Sequence, residues 1–333
     1  MIKKVKALVL LSGGLDSILA ARLLLEQGIE IEAINFRTNF CGPSKARPAA
    51  EALGVSLREI NIREDFLPIL KKPKHGYGAG LNPCIDCHAL MLKKTGQIMK
   101  KEGFDFIATG EVLGQRPMSQ HKAALNIVEK DADIVGYLLR PLSAKLLDQT
   151  IVEKEGLVDR GKLFDISGRS RKVQIALAAQ YNIKKYPTPA GGCALTQKGF
   201  SSRLRELMKN KPNFNSNDVD LVRFGRHFFI APSTPLPFEG LNGHSGPVEG
   251  GASAQIILGR DKDENEFLKN QMKKDEIFII PINFSGAEAL IRGIKILPET
   301  IEKAKELIIN FSPQAKNLAE KEPTFDVIKG EAI

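Results

Sequence analysis

One hexapeptide limits the fold of this 333-residue chain more than any other feature: Ser12-Gly13-Gly14-Leu15-Asp16-Ser17. It follows an apolar run over residues 6–11 that reads as a buried strand. It opens a segment over 17–27 with helical periodicity, closed by Gly28. Glycines at such a strand–turn–helix junction let the backbone turn tightly and approach an anion closely. The helix amino terminus adds free N–H groups and partial positive charge. Ser12 and Ser17 add hydroxyls. Asp16 repels anions unless a magnesium ion or a proton lies between, which points to a nucleotide site with metal. The spacing is neither the Walker G-x-x-x-x-G-K-[ST] nor the dinucleotide G-x-G-x-x-G. The plainer alternative is a tight turn with no ligand.

The loop sits in an alternating pattern. Residues 30–36 read as a second strand, 44–53 as a helix closed by Gly54, 55–62 as a third strand, 89–101 as a basic helix ended by Gly103, and 104–108 as a fourth strand. This βαβα order predicts an α/β fold, a doubly wound parallel sheet with helices on both faces. Such sheets bind ligands beyond the carboxyl ends of their strands. Residues 65–83, rich in Pro, Gly and Lys, are expected to form a mobile active-site loop. Helices are expected over 171–181, 200–208 and 299–309. The character changes near 213, so the expected domains are 1–212, carrying the loop, and 213–333, a smaller α+β domain for substrate binding.

Charge is uneven between these parts. Of 48 Lys+Arg and 39 Asp+Glu, residues 216–333 hold 14 and 18, which leaves 34 and 21 for residues 1–215. A basic first part suits a polyanionic partner, although surface lysines also serve solubility. No run of about 18 apolar residues offers a membrane span. The charged head and short apolar run at the amino terminus pass into the glycine turn without a signal-peptide cleavage pattern. A cytoplasmic protein is expected. Four cysteines (Cys41, Cys84, Cys87, Cys193) in such a chain point to metal or catalytic use rather than a disulfide framework.

The loop resembles the SGGxDS motif of the PP-loop ATP pyrophosphatases, which cleave ATP between its α- and β-phosphates. Cys84-x-x-Cys87 and the distant Cys193, in Pro-Ala-Gly-Gly-Cys, are similar to the cysteine pattern of the tRNA thiolation branch, in particular its iron–sulfur type with CxxC plus one further cysteine. The resemblance covers roughly residues 1–210 and implies an ATP-dependent tRNA sulfurtransferase forming thiouridine. It implies ATP bound by Ser12, Gly13, Gly14, Leu15, Asp16, Ser17, Lys93, Thr109 and Gly110, with Mg2+ near Asp16. Asp16, Lys93, Cys84 and Cys193 would be catalytic. The partners would be tRNA and a sulfur donor, either sulfide or a cysteine desulfurase; a homodimer is compatible with this. Ala108-Thr109-Gly110-Glu111 resembles the family's ATGH element, but Glu111 stands where the His is usual, so no role is carried onto it.

Two routes for sulfur stay open. Cys84, Cys87 and Cys193 could hold a [4Fe–4S] cluster with one iron left open, or Cys193 could carry a persulfide that Cys84 or Cys87 resolves. The presence of both CxxC cysteines favours the cluster. Cys41 could be a fourth ligand or merely a nearby thiol. His88 reads as a helix-start residue, Ser119 as a helix cap, and Tyr77 as a base-stacking ring or a loop anchor. A PP-loop ligase acting on a small molecule, with a structural metal, is the competing function. A non-catalytic RNA-binding protein is a third, disfavoured by the intact loop.

Overall fold

The computed structural model describes residues 4–42, 45–186, 192–230, 237–239, 245–247, 254–293, 296–318 and 322–331. The chain divides into two compact units, Met1–Lys198 and Gly199–Ile333. The sequence reading put the change of character at 212/213.

The first unit contains, in chain order, β1 (Lys6–Leu10), α1 (Leu15–Leu25), β2 (Glu30–Arg37), α2 (Ala46–Leu53), β3 (Ser56–Asn61), α3 (Arg63–Lys71), α4 (Cys84–Glu102), β4 (Phe106–Thr109), α5 (Lys122–Asp131), β5 (Leu138–Leu139), α6 (Ile151–Lys154) and α7 (Lys172–Gln180). Its five strands are all parallel, in the order β3-β2-β1-β4-β5. This is the doubly wound sheet expected from the βαβα pattern. Side chains alternate across a strand, so β1 feeds two cores. Ala7 and Val9 pack with Ala21 and Leu24 of α1, while Leu8 packs with Leu92 and Met99 of α4 and Val128 of α5. Burial on both faces explains why β1 is apolar from Ala7 to Leu10.

Two local expectations are corrected. Residues 65–71 of the expected loop belong to α3, because Phe66, Leu67 and Leu70 bury one helical face; Pro68 is accommodated inside it. The helix expected at 89 begins at Cys84, so the CxxC pair occupies its first turn. Pro83 precedes that turn, where a missing N–H costs no helical bond, and Asp86 suits the positive end of the helix.

The second unit continues from α8 (Lys198–Asn210) through α9 (Ser216–Leu221), β6 (Arg226–Ile230), β7 (Pro237–Glu239), β8 (Ser245–Pro247), β9 (Ala254–Leu258), α10 (Lys262–Asn270), β10 (Ile277–Pro281), β11 (Ala289–Gly293), α11 (Pro298–Phe311) and β12 (Phe325–Lys329). Its main sheet, β12-β10-β11-β9-β6, is antiparallel. Ala304 and Ile308 of α11 cover one face together with Ile256, Ile279 and Ile291. Two of its basic residues are engaged within the unit. Arg203 Nε donates to the Val222 carbonyl at 2.9 Å, and Lys211 pairs with Asp218 at 2.8 Å.

Candidate active site

The strand order reverses between β1 and β4, and their carboxyl ends define the crevice where such folds bind ligands. The Ser12–Ser17 loop leaves β1 there. Gly13 has φ +76°, and a Cβ on it would lie 2.2 Å from the Lys45 carbonyl oxygen, so only glycine fits. Gly110, just beyond β4, is pressed against the start of α1. A Cβ on it would lie 2.5 Å from Ser17 N. The Ser17 hydroxyl donates to the Gly14 carbonyl at 2.8 Å and sits 3.2 Å from Ser12 Oγ. No side chain caps α1, whose N-cap residue is Gly14, so its first amides face the crevice end. Leu15 is buried in the core and can offer only its backbone.

Asp16 Oδ2 accepts from Gln115 Nε2 at 3.2 Å. Its Oδ1 is buried with no hydrogen-bond partner. A buried carboxylate oxygen without a partner is costly, and a magnesium ion would satisfy it. Thr109 spends its hydroxyl on Glu111 Oε2 at 3.0 Å, so it too offers the crevice its backbone.

Lys93 lies nine residues into α4, roughly 13 Å along its axis from Cys84. It is exposed, and its positive charge helps to lower the pKa of Asp133. Lys45, also exposed, abuts the Ser12–Ser17 loop through its backbone. It was missed because a lysine at the start of a helix carries no motif.

Backbone hydrogen bonds draw the cysteine-bearing segments together. Ala194 N donates to Phe40 O, and Leu81 N donates to Leu195 O, both at 3.0 Å. Cys41 thus follows, and Cys193 precedes, a directly bonded pair of residues. The loop before α4 is held by Asp86, whose carboxylate accepts from Lys74 N at 2.9 Å and His75 N at 3.1 Å. Asn82 Nδ2 donates to Cys84 Sγ at 3.2 Å. Cys41 is exposed and the other three cysteines are half-buried; none is in a disulfide. Burial pushes the Cys87 thiol well up, and the neighbouring Cys193, Cys41 and Cys84 add to that, in this order. All four sulfurs therefore share one neighbourhood. Among the described residues, no group of three or more His, Cys, Asp or Glu side chains stands in metal-holding geometry. The soft, all-sulfur donor chemistry suits iron–sulfur or zinc; the side-chain placement does not form such a set.

Glu111 resolves into an unforeseen role. It is buried, and pairs with Arg140 at 3.0 Å and His88 at 2.8 Å; Arg140 in turn pairs with Glu129. Burial alone would raise the Glu111 carboxyl, but Arg140 and His88 overcome it and hold it well below the usual range. His88 follows Cys87 directly, so this network ties the cysteine helix to the crevice wall beside Gly110. Other sequence readings resolve simply. Tyr77 is an anchor, its hydroxyl donating to Leu70 O at 2.6 Å. Ser119 is buried and does not cap α5. His121 does, accepting from Ala124 N at 3.2 Å.

Residues 3–154 match the family model described as thiamine biosynthesis protein (ThiI), and residues 251–324 match that of the NFACT protein RNA binding domain. The chain is 24% identical over 286 residues to a tRNA-specific 2-thiouridylase MnmA of Pseudomonas fluorescens, covering 80% of this chain and 72% of the relative. It is 33% identical over 173 residues to the MnmA of Caldicellulosiruptor saccharolyticus, covering 45% and 43%. Among solved structures, a 4-thiouridine synthetase–RNA complex with bound ATP aligns at 22% identity and TM-score 0.34, over 54% of this chain and 51% of that one. The chain is thus similar to the tRNA-thiolation branch of the PP-loop proteins. No helix among the described residues is long and apolar enough to cross a membrane.

Proposed function

We propose that this chain is an ATP-dependent tRNA sulfurtransferase that adenylates a uridine carbonyl oxygen and replaces it with sulfur. The observation that carries the reading is co-location. The phosphate loop after β1, the Cys41 segment after β2 and Gly110 after β4 all leave the same edge of the parallel sheet, and the Cys193 segment is bonded to the second of these. The uracil oxygen attacks the α-phosphate of ATP and pyrophosphate leaves. The AMP ester so formed is then a leaving group for a sulfur nucleophile. Catalysis of the first step is positioning and charge neutralisation. The α1 amides, Ser12 and Ser17 hold phosphate oxygens, and Asp16 holds Mg2+ through its otherwise unpartnered oxygen. Thr109 and Gly110 form the wall. Lys93 and Lys45 are the two cations proposed for the phosphates; replacing each with Ala and comparing KM for ATP separates them. The second unit is proposed to bind the RNA, consistent with the RNA-binding family it matches, despite its slightly acidic balance.

Cys84, Cys87 and Cys193 are proposed to deliver the sulfur. A [4Fe–4S] cluster bound there would supply an iron open to an extra sulfide. The second reading, a persulfide on Cys193, is favoured by one specific observation: the thiols share a neighbourhood without forming a metal-holding set. The test is incubation of anaerobically purified protein with unmodified tRNA, ATP-Mg2+ and sulfide or a desulfurase-loaded persulfide donor. Thiouridine is expected with wild type and is expected to vanish with Cys193→Ala. Thiouridine formation undiminished in Cys193→Ala would sink the assignment, and AMP formation on a small acid without RNA would favour the ligase alternative.

A further inference from the structure

The sequence pattern assigns work to three cysteines, and the structure gathers four. Cys41 is the exposed member of the group. The Ala194 N to Phe40 O hydrogen bond of 3.0 Å fixes the Cys41 segment against the Cys193 segment, whereas Cys84 and Cys87 belong to a helix whose preceding loop reaches the Cys193 segment through Leu81 and Leu195. Cys84 Sγ already accepts from Asn82 Nδ2. Cys41 follows β2 and lies beyond the structured strand end, in a bend.

We propose that Cys41 is the resolving thiol of the site and forms a disulfide with Cys193 once in each catalytic cycle. This inference rests on the persulfide reading above. A persulfide donor first transfers sulfane sulfur to Cys193. The terminal sulfur of that persulfide attacks the adenylated carbon, and AMP leaves with the electron pair of the C–O bond. The nucleoside is then joined to Cys193 through an S–S bond. The Cys41 thiolate attacks Cys193 Sγ, breaking that S–S bond and forming the Cys41–Cys193 disulfide. The electron pair departs on the nucleoside sulfur, which becomes the thione of thiouridine. The sulfane sulfur is reduced and the two thiols are oxidised, so the step balances. An external dithiol reductant then returns both cysteines to thiols. Exchange of this kind needs an accessible attacking sulfur, and Cys41 is the exposed cysteine of the group.

The experiment is a single turnover of full-length protein with persulfide donor, ATP-Mg2+ and unmodified tRNA. It is quenched in acid and alkylated, and the peptides are mapped by mass spectrometry alongside an iron assay. A Cys41–Cys193 linked peptide is expected in amounts matching the thiouridine formed. In Cys41→Ser, steady-state turnover is expected to fall on the order of 100-fold, the advantage of an intramolecular thiol over millimolar external thiol. The tRNA should remain linked to Cys193 until dithiothreitol releases it as thiouridine. Release by added thiol separates a lost resolver from a misfolded variant. Iron-free activity with Cys193 linked to Cys84 or Cys87 overturns the assignment to Cys41 alone. Activity that requires bound iron, with no disulfide formed, overturns the persulfide reading and this inference together.

Discussion

Each unit buries one arginine between two carboxylates, and the two networks differ in what else they touch. Arg140 in the first unit pairs with Glu111 and Glu129. Arg292 in the second pairs with Asp218 at 2.9 Å and Glu276 at 2.5 Å, and donates to Asn217 at 3.1 Å. In the second unit the other partners are Lys211 and the turns flanking α9 and β10, so the network locks a scaffold. In the first unit Glu111 also holds His88, next to Cys87, and follows Gly110, which is packed against the phosphate loop. The same buried chemistry thus joins two halves of a candidate site in one unit and only secondary structure in the other. An ion pair of this sort adds little net stability over an apolar replacement; what it adds is a fixed geometry, which matters where reacting groups must meet.

Removing one partner strands a buried charge, at about 3–5 kcal/mol in either unit. Glu111→Ala should lose that stability in urea titration and also lose thiouridine formation at a temperature where the variant is still folded. Retained turnover per folded molecule would dissolve the functional contrast. Arg292→Ala should lose as much stability, yet ATP–pyrophosphate exchange per folded molecule should stay near wild type. Loss of exchange would show that the second network is not confined to scaffolding.

A third comparison uses acid. His227 Nε2 donates to the carbonyls of Leu221 and Phe224, at 3.1 and 2.8 Å, and Nδ1 accepts from Gln255 at 2.8 Å. Burial lowers its pKa to about 4 from the usual 6.5, against the pull of the two carbonyls. The unfolded chain therefore takes up the proton first as pH falls. Stability should decline from about pH 6.5 and level off below about pH 4, for a total of about 3 kcal/mol. Glu111, held low, contributes stability that is complete above the ordinary carboxylate range and is lost only in stronger acid. His227→Gln should flatten the slope between pH 6.5 and 4, measured by urea midpoints; an unchanged slope would mean that His227 does not carry it. The smallest stability effect is expected from Gly13→Ala, about 1–3 kcal/mol for a strained left-handed residue. Isothermal titration should show its ATP affinity collapsing nonetheless, because the loop must shift away from Lys45.

The first unit was legible wherever a pattern was local. The apolar run of β1, the Gly28, Gly54 and Gly103 terminators and the hexapeptide after β1 located the loop correctly. Short or masked patterns were not legible. β5 has two residues, too few for alternation to register. α3 hides behind Pro68 and the lysines that follow it, although Phe66, Leu67 and Leu70 define its buried face. His88, Glu111 and Arg140 lie 23 and 29 residues apart in sequence, and no local spacing predicts that they meet.

The sequence by itself determined the chemistry available at each position: a glycine turn that only a left-handed backbone can make, four sulfurs, and a carboxylate within an anion loop. Those properties depend on residue type and immediate neighbours. Tertiary structure decided which of them share a place. The parallel sheet sends the ends of β1, β2 and β4 to one edge, and backbone bonds at Phe40, Leu81, Ala194 and Leu195 then set Cys41 beside Cys193. Long-range pairing of this kind is fixed by the burial of whole strands and helices. It made a pattern of three cysteines into a neighbourhood of four and brought the Lys45 backbone against the phosphate loop.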